Sequence, residues 1–268
     1  MEIRDYCLAL LEADTLEGKL RPPPADLTDE QPGPALRVRG PVRPKALRHD
    51  PLRKVKVPRL GGIADPEQRA RIIHSLANHE LQAAELFAWA LLLFPEMPSS
   101  FRRGCLGILA EEQDHCRRYI ERLRAHDHDF GDFGVTAHFW RKCERVNTPF
   151  EFVCVMGLTF ENANLDFALE HAEAARAVGD EETAKVLEFV HEEETRHVAF
   201  AWRWFQKLKP EGADDWEIYC KTVRAPHGPD RARGATFDEA ARRAAGISDA
   251  FIDQLAATTP TRPGGAKR

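Results

Sequence analysis

Glu80 precedes Glu112-x-x-His115 by 32 residues, and Glu161 precedes Glu194-x-x-His197 by 33. Carboxylates and imidazoles spaced in this way can bind a pair of divalent metal ions. In a four-helix bundle two helices each give one Glu and two each give Glu-x-x-His, and the i, i+3 spacing puts both members of the latter on one helix face. The candidate metal ligands are therefore Glu80, Glu112, His115, Glu161, Glu194 and His197.

Glu-x-x-His by itself carries little information, because 25 Glu and 11 His in 268 residues give about one match by chance. Helical phase discriminates, since a ligand must lie on the apolar stripe whereas an ordinary surface acid lies opposite it. Glu80 interrupts the stripe Ile73, Leu76, Ala77, Ala83, Ala84, Phe87, Leu91. Glu112 and His115 fall between Cys105, Ile108, Leu109 and Tyr119, Leu123. Glu194 and His197 fall between Leu187, Val190 and Val198, Ala201, Phe205. Around Glu161 the chain is apolar on nearly every side from Phe152 to Phe160, so phase is less informative there. A third match, Glu188-x-x-His191, has Ala184, Lys185, Glu192 and Thr195 at helical spacing and is expected to face water. Glu85 lies five residues beyond Glu80, off the stripe, and is not counted as a ligand. Four carboxylates in one apolar core require a compensating charge, which two divalent cations would supply. Buried pairing with Arg118 or Arg196 is the alternative for some of them.

The elements that would position these residues are readable from their caps. Residues 3 to 19 predict a short helix, followed by a proline-punctuated segment from Arg21 to about Gly62 with little regular structure. Asp65-Pro66-Glu67 opens a helix running to Pro95, and Ser99 or Ser100 caps a second, ending near Gly131. A connection from Asp127 to Asn147 with a short helix leads to Thr148-Pro149, which opens a third helix to about Val178. Gly179-Asp180 stops it and caps a fourth, which ends before Pro210. A short link, a long crossover and a short link imply an all-α four-helix bundle, spanning 63–210. It is flanked by an N-terminal helix and extended basic arm, 1–62, and a helical C-terminal extension and tail, 211–268.

Composition narrows the class. The longest apolar run, Leu86 to Phe94, is far below a membrane span, and the start lacks the order of a signal peptide, so a cytoplasmic protein with no membrane role is predicted. Six cysteines without any C-x-x-C pairing predict reduced core thiols. The net charge is −5, yet Arg37 to Arg59 holds nine Lys/Arg against one acid, Asp50. That stretch reads as an arm lying over an acidic body, with phosphate contact as the alternative.

The blocks His79-Glu80-Leu81-Gln82-Ala83, Glu112-Gln113-Asp114-His115, Gly157-Leu158-Thr159-Phe160-Glu161 and Glu193-Glu194-Thr195-Arg196-His197 resemble the ferritin-like di-iron carboxylate superfamily, and within it domain-of-unknown-function family 455. The resemblance implies a ferritin-like bundle and metal ligands at the six positions above. Carboxylate and imidazole donors suit two iron ions, with manganese or a mixed iron–manganese pair also fitting. Two ferrous ions can deliver two electrons to O2, so an O2-dependent oxidoreductase, a hydroxylase or oxidase acting on a small molecule, is the leading expectation. Tyr119, one turn after His115, has a spacing similar to that of the radical tyrosine of ribonucleotide reductase small subunits, although a tyrosine on the stripe is ordinarily packing. The bundle also resembles, more distantly, a tRNA-modifying isopentenyladenosine hydroxylase, for which Arg37 to Arg59 would hold the RNA backbone. The same ligand set would also suit a ferroxidase or iron-binding protein, or a metal site with a purely structural role. A homodimer and an external electron donor are left open.

Overall fold

The computed structural model describes residues 1–52, 54–223 and 228–260. Arg53 of the basic stretch and 261–268 of the tail lie outside the described residues. The fold is all-helical: among the described residues there is no strand, only an isolated bridge between Glu2 and Thr28. No described helix is long and apolar enough to cross a membrane. The chain divides into two compact units, the first Met1–Glu144 and the second from Arg145 onward.

The first unit contains α1 (Ile3–Glu12), α2 (Leu16–Lys19), α3 (Pro66–Leu93), α4 (Ser99–Ala125) and α5 (His138–Cys143). The expected helix over 3–19 is two helices, because Ala13 is extended and Thr15 starts a new helix by accepting from the Gly18 N–H. α3 opens as its sequence dictates: the Asp65 side chain accepts from the Gln68 N–H and Pro66 occupies the first turn. α4 begins at Ser99, but Pro98 holds the cap position and neither serine caps it; it ends at Ala125, short of Gly131. Five residues join α3 to α4, and the two long helices pack antiparallel. From Glu80 to Leu92, α3 is buried all round. The arm covers its outer side through backbone groups, with Trp89 Nε1 donating to the Val38 carbonyl at 3.0 Å and the Leu36 N–H to Leu92 at 2.9 Å.

The second unit contains α6 (Pro149–Phe152), a π-helical segment (Val153–Glu161), α7 (Asn162–Ala177), α8 (Glu181–Leu208), α9 (Asp215–Thr222), α10 (Glu239–Ala244) and α11 (Asp249–Ala256). Thr148 and Glu151 form a reciprocal capping box at the start. Gly179 turns the chain at φ +80°, a conformation that favours glycine, and Asp180 caps α8. The helix expected from Phe237 begins at Glu239, capped by Asp238. The π segment gives the long third helix a wider winding over nine residues, with the Asn162 N–H reaching back to Gly157 O and Thr159 Oγ1 donating to Cys154 O at 2.8 Å. It packs against α8 where Gly157 meets Ala201.

Candidate metal centre

Within the first unit, α3 supplies Glu80 and α4 supplies Glu112 and His115. All three are buried, and one ligand atom from each lies within 4.8 Å of the others. The apolar residues that set the phase, Ile73, Ala77, Ala84 and Phe87 on α3 and Cys105, Leu109 and Leu123 on α4, are buried with them. His115 Nδ1 is 3.5 Å from Glu112 Oε2, as the i, i+3 spacing requires.

The second unit builds the same set. Glu161 is the last residue of the π segment, and α8 supplies Glu194 and His197. One ligand atom from each again lies within 4.8 Å of the others, all three residues buried. His197 Nδ1 is 3.3 Å from Glu194 Oε2, an atom that accepts no hydrogen bond among the described residues. The other oxygen, Glu194 Oε1, accepts from Asn164 Nδ2 on α7 at 2.8 Å. Asn164 was not singled out from the sequence. Its signal was there, since it lies three residues after Glu161 and so on a neighbouring stretch of the same helix face.

The remaining candidates fall elsewhere. Glu188 pairs with Arg176 at 2.8 Å and is outside the cluster. Its partner in the motif, His191, does not stand in water as expected: it is half-buried, with Nε2 2.9 Å from Asp238 on the turn that opens α10. Arg118 pairs with Asp114 and Arg196 with Glu193, neither acid belonging to the buried clusters. Tyr119 is buried on α4 one turn beyond His115. Glu85 is also fully buried, against its reading as an off-stripe residue, because Arg43 of the arm and Lys19 of α2 bring cations to it. Arg43 Nη2 donates to it at 2.6 Å, Lys19 Nζ lies at 3.1 Å, and Trp140 Nε1 donates at 3.0 Å. Burial alone would raise the Glu85 carboxyl, but Arg43 and Lys19 hold it below the usual carboxylate range.

Two carboxylates and one imidazole in an apolar interior match what a divalent cation needs from a protein: oxygen and nitrogen donors converging within a few ångströms, shielded from water. No cysteine belongs to either set, and all six thiols are free. The chain is thus an all-helical protein whose buried carboxylate–histidine clusters could hold a metal ion. The family model described as "Protein of unknown function (DUF455)" matches residues 10–253, and the chain belongs to that family. No match is found among curated proteins or among solved structures.

Proposed function

We propose that the protein is a dinuclear metal carboxylate protein, with two iron ions held by Glu80, Glu112, His115, Glu161, Glu194 and His197 in a ferritin-like bundle, and that it is an O2-dependent oxidoreductase acting on a small molecule. The observation that carries this reading is the repetition of one buried Glu, Glu, His set in both units, each with its three ligand atoms within 4.8 Å of one another. One such set is a metal site of ordinary size; two, at nearly equal spacing along the chain, match the ligand inventory of a metal pair.

Iron bound there would supply the electrons that reduce O2. The chain's own residues would do the rest. The carboxylates neutralise cation charge, and Asn164 fixes one oxygen of Glu194 so that Oε2 is the atom left for a ligand role. The apolar stripes on α3, α4 and α8 exclude water from the donors.

Metal analysis of protein purified without oxygen should find two iron ions per chain, and admission of O2 should consume the gas and change the optical spectrum. Glu112→Ala and Glu194→Ala should each abolish the two-metal stoichiometry, while Glu188→Ala should keep it. Equal loss in all three variants, or a wild-type protein without metal, refutes the reading.

A further inference from the structure

A second constellation lies in the first unit and includes none of the six candidate ligands. Residues 54–57 of the arm, the early turns of α3 and the loop 133–136 enclose a cleft of about 190 Å³. Lys54, Lys56 and Arg71 stand on its walls, and not one of its lining residues is acidic. Through Val55, Gly134 and Val135 it continues into a hollow of about 600 Å³ bordered by Lys45 and Arg48, where Asp50 is the single acid. Arg71 shares its charge with Glu67 at 2.7 Å and lies over the Phe133 ring at 4.4 Å. Lys54 and Lys56 have no ion-pair partner among the described residues.

The lining also offers fixed polar groups. Asn78 is locked, its Oδ1 accepting from Arg43 at 3.0 Å and its Nδ2 donating to the Thr136 carbonyl at 3.1 Å. His74 Nε2 accepts from the Gly131 N–H at 3.0 Å, which puts the proton of the neutral ring on Nδ1. Cations gathered around a small cleft repel one another until an anion enters, and lysine ammonium groups bind phosphate as point charges.

We propose that this cleft binds a small phosphate-bearing anion, held by Lys54, Lys56 and Arg71. Phosphate is favoured over a carboxylate because its charge near neutral pH approaches −2, which three cations match better than a single negative charge. It is favoured over a nucleic-acid backbone because Lys54, Lys56 and Arg71 line one small cleft while Arg39 and Arg59, also on the arm, stand outside the lining.

Calorimetry on the full chain at low ionic strength, with inorganic phosphate and pyrophosphate as probes, tests this. One-to-one saturable binding is expected. Lys54→Ala with Lys56→Ala should weaken it at least tenfold, and because both side chains are exposed the fold should survive, as circular dichroism would verify. Arg39→Ala with Arg59→Ala removes the same charge from the arm and should change affinity less than twofold. Absence of saturable binding overturns the proposal. So does an equal loss in the two double variants, which would make the arm's general field responsible. RNA binding that both double variants weaken alike, with no response to phosphate, also overturns it and assigns the arm to a polyanion.

Discussion

Glu80 and Glu85 lie five residues apart on α3, both buried, and their neighbours set them different tasks. Glu85 is answered by Arg43 and Lys19, so removing its carboxylate leaves two cations in the interior without their counter-charge. Glu85→Ala should therefore lose about 3–5 kcal/mol of stability in urea unfolding, the usual penalty for breaking a buried pair. Metal stoichiometry should persist in whatever fraction stays folded. Glu80→Ala should show the opposite pattern, impaired metal binding with a smaller loss of stability. Acid should expose two further residue-scale effects of the same sign. The folded-state value of Glu85 is depressed, so its contribution is present above the ordinary value of 4.5 and is lost as pH falls through the lower folded value. Burial, which outweighs the opposing pull of Asp132, pushes His74 down to about 4 from 6.5. Between those two values the unfolded chain takes up a proton that the folded chain refuses, and stability should fall by about 3 kcal/mol as pH drops through that window. His74→Gln should flatten that part of the curve; an unchanged pH slope would show that His74 is not responsible.

At the scale of elements, the sequence made the caps and the stripes legible and hid the π segment. Asp65, Pro66, Thr148 and Asp180 act as their chemistry predicts, since capping is a local event decided by a few neighbouring residues. Phase identified Glu112, His115, Glu194 and His197 as stripe residues because α4 and α8 keep one wet face. It separated Glu80 from Glu85 less well, since α3 has no wet face over that stretch: the arm covers it with main-chain groups, the Val38 carbonyl and the Leu36 N–H, that leave no mark in the side-chain pattern. Around Glu161 the apolar run from Phe152 to Phe160 hid a winding with hydrogen bonds five residues apart, which resets the phase on which the test depends. Gly157 provides a check on that segment. A Cβ built there would lie 2.1 Å from the Ala201 Cβ, with no flexible side chain able to yield. Gly157→Ala should destabilise the protein by about 1–3 kcal/mol, and Gly157→Ala with Ala201→Gly should recover much of the loss in the same denaturant titration. Equal stability of wild type and Gly157→Ala would mean the close approach is absent in solution.

For the molecule as a whole, caps and prolines delimit segments 1–62, 63–210 and 211–268, and the compact units divide within the crossover, after Glu144. Single buried contacts hold each outer segment within its own unit. Arg43 ties the arm to α3, and Arg242 ties the C-terminal extension to α7. If cations balance the buried Glu, Glu, His sets, removing metal with a chelator should destabilise the folded chain by about 2.7 kcal/mol for metal present at a hundredfold excess over its dissociation constant, and readdition should restore it. An unchanged melting temperature would count against bound metal. Asp166 and Arg242 allow a metal-independent test of how the extension is held. Both are fully buried; Arg242 Nη1 and Nη2 donate to Asp166 at 2.7 and 2.9 Å, and the same carboxylate accepts from the Gly234 and Asp238 N–H groups at 2.8 and 2.7 Å. Asp166→Ala leaves a guanidinium buried against α7 and should lose about 3–5 kcal/mol, whereas the Asp166→Ala, Arg242→Met pair, which removes both charges, should lose less. Hydrogen exchange should locate the damage, because the amides of α10 would lose the anchor that holds Asp238 and Gly234. Faster exchange confined to the extension, ahead of α7 and α8, is the expected result. Protection in α10 equal to that of the wild type would show that the extension is held by its apolar contacts, with Phe251 and Leu255 of α11 the next residues to truncate.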